Sequence, residues 1–208
     1  MKQDLLASLR AAVVALVAFT VLTGLLYPGL VLGIGQLVFP HQANGSLVTD
    51  RGKVIGSELV GQLFTHPGYL WGRPSATGPV PYNAMASSGA NEGPGGKGPG
   101  EYNPDLRDAV VARAAALRAA DPDNHAPIPA DLVTASASGL DPHVTPAGAR
   151  YQAARIARAR QLSVDRVQAI LDAHTQAPTL GFLGEPRVDV LAVNRALDAA
   201  TGGPPQER

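Results

Sequence analysis

Hydrophobic and polar positions divide the chain into two regimes. No Asp, Glu, Lys or Arg lies between Arg10 and Asp50, and Ala11 to Leu32 reads AAVVALVAFTVLTGLLYPGLVL. About 22 residues rising ~1.5 Å each make ~33 Å of helix, which matches a bilayer hydrocarbon core of ~30 Å. Thr20 and Thr23 are tolerable at depth because their hydroxyls can return to backbone carbonyls. The run is longer than the ~7–15-residue core of a signal peptide, and the following PGLVLGIGQLVFPHQ offers no small-residue cleavage signature. It therefore predicts a retained transmembrane helix over 11–32, preceded by a short terminus (1–10) and followed by a juxtamembrane linker (33–44). Pro28 has no N–H and its ring crowds the carbonyl of Gly24, so the helix is expected to bend or end near Tyr27–Pro28. Ala7, Ala11, Ala15 and Ala18 fall on one stripe of small residues, which would let a neighbouring helix approach closely in the membrane. An alanine-rich composition produces the same spacing, and both readings stand at this level.

Beyond Gly45 the pattern predicts a soluble domain over 45–202 and a tail over 203–208. Ser46 to Thr49 and Lys53 to Gly61 are β-rich runs joined by Asp50-Arg51-Gly52, where the glycine suits the φ > 0 position of a short hairpin. Residues 86–102 are crowded with Gly and Pro, and Gly93 to Gly100 (GPGGKGPG) predicts a loop. Helices are marked by their caps. Asn103 followed by Pro104 starts one that keeps its apolar spacing through Leu106, Val110, Ala114 and Leu117 until Asp121-Pro122. Thr145-Pro146 starts another, running to about Gln161. Ser163 caps a third with the stripe Val167, Ile170, Leu171 and His174. Asp189 caps a last one that ends before Gly202-Gly203. Asp131 to Ala135 and Thr179 to Leu183 read as further short strands. The sum is an α+β fold: a single N-terminal transmembrane helix, then a small extracytoplasmic domain with a short antiparallel sheet and three to four helices.

Charge sets the orientation. Lys2, Arg10 and the α-amine precede the span against a lone Asp4, which places the N-terminus in the cytoplasm and the domain outside. Lys plus Arg and Asp plus Glu each total 17 in 208 residues, so no long-range field gathers nucleic acid. The absence of cysteine excludes disulfides, thiolate metal sites and thiol nucleophiles.

Candidate chemistry is sparse. Lys97 follows a Gly-rich run, but the phosphate-loop pattern fails at both ends, with Asn91 at its first position and Gly98 at its last. The five histidines are scattered, with no pair at zinc-ligand spacing, so no metal site is expected. Asp141-Pro-His143 reads as a turn completing its own hydrogen bonds. Ser136 and Ser138 lack the elbow that exposes a nucleophile. Arg150, Arg155, Arg158 and Arg160 read as a solvated helix face. No catalytic residue emerges. The alternatives from other classes are a membrane-tethered hydrolase using Ser138, His143 and Asp141, or a ligand-binding module.

Several stretches, in order along the chain, resemble the KdpC family, which supplies one subunit of the bacterial high-affinity potassium-transporting P-type ATPase, the Kdp complex. They are Tyr27-Pro28, QANGSLV (Gln42 to Val48), GSELVGQLF (Gly56 to Phe64), YLWGRPSA (Tyr69 to Ala76), PYN (Pro81 to Asn83), DLVTASASGLDPHVTP (Asp131 to Pro146), YQAAR (Tyr151 to Arg155) and EPRVDVLAVNRALD (Glu185 to Asp198). The chain departs from the family's pattern at Ser87 to Pro94, where SSGAN leads into the Gly-rich loop. The resemblance implies a non-catalytic subunit in the bacterial cytoplasmic membrane. Its implied partners are the channel-like potassium-binding subunit, the ATP-hydrolysing subunit and one further small subunit of the same pump, besides the lipid bilayer. It further implies a role in assembly and as a catalytic chaperone that raises the ATP affinity of the ATP-hydrolysing subunit. The chain lacks the DKTGT phosphorylation motif of P-type pumps, and no cofactor is expected to bind firmly; ATP would enter only through the complex. By the same resemblance, Gln152 is the residue expected near nucleotide. ATP is cytoplasmic while the domain is expected outside, so three readings stand: the chain biases a conformational equilibrium of the pump from across the membrane, a direct nucleotide contact places the soluble domain inside, or the domain caps the outer mouth of the potassium-binding subunit and steadies it. The expected interaction surfaces are the turn Gly72, Arg73, Pro74, Ser75 and the loop Ser136 to His143, with Ser138 and Asp141.

Overall fold

A computed structural model describes residues 2–86 and 103–204. The Gly-rich loop and Ser87 to Pro94 lie outside the described residues. The chain divides into two compact units, residues 1–47 and 48–208.

The first unit is almost wholly helical. Helix α1 runs Lys2–Val21, a π-helical turn covers Leu22–Leu26, and α2 runs Tyr27–Val38. Together they give an apolar helix over Ser8–Val38, 31 residues long and exposed along its length, long and apolar enough to cross a membrane. The helix passes Pro28 without ending. Its ladder widens one turn earlier instead, where Tyr27 N–H bonds the carbonyl of Leu22 across five residues, just before the position at which proline offers no donor. Thr23 Oγ1 donates to the Phe19 carbonyl at 2.6 Å, the backbone return its depth requires. The segment expected as a linker is helical to Val38 and again in α3, Pro40–Ala43. A reciprocal amide pair, Gln36 with Asn44, ties the two pieces together.

The second unit begins in a hairpin, β1 (Leu47–Asp50) with β2 (Lys53–Ser57). Arg51 and Gly52 both adopt positive φ, as a tight two-residue turn demands. Helix α4 (Pro104–Ala120) starts as its cap predicts, with Asn103 accepting from Asp105 N–H. The helix expected from Thr145 to Gln161 is two helices, α5 (Pro146–Tyr151) and α6 (Ala153–Arg160). Gln152 breaks it: its N–H bonds the carbonyl of Ala149 at 3.1 Å, a tightened turn. Helix α7 (Val164–Ala173) is capped by Ser163, and α8 (Val190–Thr201) by Asp189.

A three-stranded antiparallel sheet joins β3 (His143–Val144), β4 (Thr175–Gln176) and β5 (Arg187–Asp189) in the order β3-β5-β4, with Val144 opposite Val188 and Thr175 on its other side. These strands are too short for a period-2 pattern to show in sequence. The two strands expected elsewhere do not form. Ala130–Leu132 is a 3₁₀ turn started by Pro129, and its neighbours Leu132 and Val133 are buried consecutively, not alternately. Thr179 and Leu183 pair only with each other across a tight turn. The core forms where α5–α8 meet the central strand, around Val144, Ile156, Leu171, Val188, Val193 and Leu197.

Candidate functional site

The organising feature of the second unit is an irregular segment, His66 to Gly72, that has no strand partner and buries Gly68 and Leu70 against the core. Buried backbone must find hydrogen bonds, and here side chains supply them. Asn194 of α8 takes Leu70 N–H on its Oδ1 (2.7 Å) and donates Nδ2 to the Leu70 carbonyl (3.0 Å). Gln152 does the same for the next residue: Oε1 accepts from Trp71 N–H at 2.9 Å, and Nε2 donates to the Trp71 carbonyl at 3.0 Å. Two amide side chains thus stand in for a neighbouring strand. Arg155 donates to the carbonyls of Pro67 and Tyr69, and Arg160 to that of Gly68. Their guanidinium groups lie over the rings of Trp71 (4.1 Å) and Tyr69 (4.8 Å).

These contacts correct one expectation. Arg155 and Arg160 are buried, not part of a solvated face; Arg150 and Arg158 keep exposed side chains that pair with Asp172 and Asp121. Burial lowers the Arg155 pKa to about 10, and Asp121 opposes that shift. Gln152, expected near nucleotide, is 1% exposed. Besides Trp71, it accepts from Arg155 Nη2 at 2.6 Å and donates to the Gly148 carbonyl at 3.3 Å. Both oxygen lone pairs and both amide protons are occupied.

The two surfaces expected to contact partners meet each other. Arg73 Nη1 lies 3.2 Å from Asp141 Oδ2, and Arg73 Nη2 donates to the carbonyls of Thr134 and Ala135. Ser75 Oγ donates to the Gly139 carbonyl at 2.7 Å and accepts from Tyr82 N–H at 2.8 Å. Tyr82 Oη closes the ring by donating to the Arg73 carbonyl at 2.6 Å. Gly72 and Gly61 both lie where a side chain would strike Tyr82, so the ring fixes two glycines. Pro74 continues this turn and lines a cleft of about 310 Å³ with Leu63, Phe64 and Trp71.

Within the loop, Ser136 Oγ accepts from Gly139 N–H and Ser138 Oγ from Leu140 N–H. Asp141 Oδ1 accepts from His143 N–H at 2.9 Å, with His143 Nδ1 at 3.4 Å. Burial pulls the Asp141 pKa upward, but the hydrogen bonds from His143 and the charge of Arg73 outweigh it, so its net value lies below the ordinary carboxylate range. A carboxylate held this firmly ionised is an anchor and a poor proton acceptor at neutral pH. Burial first, and the Asp141 charge second, push the Tyr82 phenol up to about 12. In the first unit, Ala11, Ala15 and Ala18 are exposed on the apolar helix, while the side chain of Ala7 lies outside the described residues.

The family described as "K+-transporting ATPase, c chain" matches residues 9–199. The chain belongs to the KdpC family. Among curated KdpC relatives, each called "Potassium-transporting ATPase KdpC subunit", that of Herpetosiphon aurantiacus is 58% identical over 189 residues, covering 91% of this chain and 94% of its own. That of Methylibium petroleiphilum is 59% identical over 190 residues, covering 91% and 96%. That of Sorangium cellulosum is 56% identical over 196, covering 94% and 100%. KdpC membership makes this chain an accessory subunit of the potassium-pump complex, and its one apolar N-terminal helix fits a single-pass membrane anchor.

Sequence reasoning gave no individual role to Asn194 or Tyr82, and it read Arg155 and Arg160 as solvent-facing. Asn194 had a legible signal: it is a polar residue at the core-facing position of the Val190, Val193, Leu197 stripe on α8. Tyr82 lay within the PYN stretch of the family resemblance, but its partners could not be read there, because it reaches them across a loop.

Proposed function

We propose that the chain is a non-catalytic accessory component of the ATP-driven potassium uptake pump that steadies the assembly and raises the ATP affinity of its ATP-hydrolysing subunit without touching nucleotide. Its partners in this reading are the potassium-binding subunit, the ATP-hydrolysing subunit and the further small subunit of the same pump. The N-terminus lies in the cytoplasm and residues 48–208 outside, a placement supported by Lys2 and Arg10 against Asp4 before the span. ATP is cytoplasmic, so the effect crosses the membrane as a shift in a conformational equilibrium, and the outer domain acts by capping the mouth of the potassium-binding subunit.

The observation that carries this reading is the Gln152 amide. Its four hydrogen-bonding positions are all taken inside the core, which supports linkage over contact through this residue as the route to ATP.

The test is ATPase activity of the purified complex, with and without this chain, across ATP concentrations. The expected result is a half-saturating ATP concentration about fivefold or more higher without the chain. An intact complex with unchanged half-saturation would overturn the chaperone role. Dissolution of the complex would support the assembly role.

A further inference from the structure

The apolar helix runs on beyond the length that fills a bilayer core. At ~1.5 Å per residue, Ala11 to Val38 rises ~42 Å against a hydrocarbon core of ~30 Å, an excess that tilting absorbs at modest cost. Past Leu32 the chain stays apolar, and no charged residue occurs before Asp50. Leu37 is 85% exposed, Val38 61% and Phe39 55%. There the chain turns back in an elbow between α2 and α3. Phe39 N–H bonds the Gly35 carbonyl at 2.8 Å, and Ala43 N–H bonds that of Phe39 at 2.9 Å. A Cβ on Gly35 would lie 3.8 Å from that of Ala43, so α3 folds against the end of α2. Two amides reach across the elbow. Gln36 Nε2 donates to Asn44 Oδ1 at 3.3 Å; Asn44 Nδ2 donates to Gln36 Oε1 at 3.0 Å and to the Pro40 carbonyl at 2.6 Å. Both amide oxygens and both Asn44 amide protons are thereby used.

We propose that acyl chains of the bilayer cover this elbow, so that lipid contact continues to Phe39 and the Gln36–Asn44 clasp closes two amides at the hydrocarbon boundary. The inference rests on the reading of Ser8–Val38 as a membrane anchor. Three features select lipid. The first is continuity, since the exposed side chains up to Val38 belong to the same continuous helix as the span itself. The second is direction. At ~100° per residue, Leu30, Val31, Leu32, Ile34, Leu37 and Val38 point over roughly 220° of the helix circumference, and all six are exposed. A groove on a protein faces one side of a helix, whereas acyl chains surround it. Water around the same residues would meet one contiguous apolar patch. The third is the clasp. In water an amide finds partners anywhere, but in hydrocarbon an open one is costly and must be satisfied within the chain. Thr23 makes the same kind of return, to the Phe19 carbonyl, deeper in the span.

The experiment uses the full chain, which has no native cysteine, in vesicles both alone and in the complete pump. Single variants Val17→Cys, Leu37→Cys, Phe39→Cys and Thr49→Cys are exposed to a water-soluble maleimide with both membrane faces accessible. Maleimide attacks the thiolate, which hydrocarbon suppresses, so Leu37→Cys and Phe39→Cys should react about tenfold or more slowly than Thr49→Cys in the exposed hairpin. A fluorophore placed at Leu37→Cys should be quenched by lipids carrying a nitroxide on the acyl chain, with the chain alone and in the pump. Labelling as fast as at Thr49→Cys overturns the proposal. Protection or quenching that depends on the other subunits overturns it too, and names protein as the cover. Rapid labelling of Val17→Cys overturns the anchor reading beneath it, a separate result. For the clasp, Asn44→Ala should speed labelling of Leu37→Cys severalfold by opening the Gln36 amide, and Gln36→Leu/Asn44→Leu should restore slow labelling. Unchanged labelling in the single variant, or rapid labelling in the double, overturns the clasp.

Discussion

Gln152 has an architectural place in this fold. A polar residue in a distinctive Tyr-Gln pair invites a ligand, yet here it closes the open edge of an unpaired segment. Removing it leaves Trp71 N–H, the Trp71 carbonyl and Arg155 short of partners inside the core, a loss of about 2–4 kcal/mol by the usual cost of unsatisfied buried groups. Gln152→Ala should therefore lower the urea midpoint of the detergent-solubilised chain while leaving half-saturating ATP unchanged in whatever pump assembles. Normal stability with weakened ATP response would restore the nucleotide-contact expectation. Asp141 makes a prediction in pH. Its folded pKa lies below the ordinary value of 3.8, so its stabilising contribution is complete above that value and disappears as pH falls through the lower folded value. Asp141→Asn removes that dependence. Below about pH 4 the wild type should lose stability faster than the variant, and parallel acid unfolding curves would contradict the assignment.

At the scale of elements, the membrane helix and the split helix α5–α6 teach the same lesson. Proline at 28 predicts an end or a bend, but in an apolar setting the cheaper response is to widen one turn and continue, since a free helix end would expose backbone groups to lipid. The exposed Ala11, Ala15 and Ala18 leave one face of that helix narrow enough for a second backbone. Ala15→Leu should reduce recovery of the other pump subunits severalfold while membrane insertion is unchanged, measured by affinity purification against membrane fractionation. Equal recovery would show that the stripe is compositional. Helix α5–α6 breaks for a different reason. The break turns the Gln152 side chain toward Trp71, so tertiary hydrogen bonding overrides a segment whose local propensity favours one helix.

At the scale of the molecule, a protein that raises ATP affinity through a conformational equilibrium obeys reciprocity. ATP must then tighten the chain's hold on the complex by the same factor. The dissociation constant of this chain from detergent-solubilised pump should fall about fivefold or more in saturating non-hydrolysable ATP. An affinity indifferent to nucleotide would remove the linkage account, whatever the assembly role.

Much of this protein was legible one short stretch at a time. The charge-free run specified an anchor because crossing a bilayer depends on composition over a single segment. Asn103, Thr145, Ser163 and Asp189 specified four helix starts because a cap reaches an N–H only two or three residues ahead. The fates of Gln152, Asn194, Arg155 and Arg160 were decided only by tertiary structure, because their partners lie 81, 124, 86 and 92 residues away along the chain. The sheet β3-β5-β4 belongs with them, since strands of two or three residues have no pattern of their own and exist only where the core holds them. Local chemistry is written in neighbours. A buried segment with no strand beside it is satisfied by whichever distant side chains the fold brings within reach.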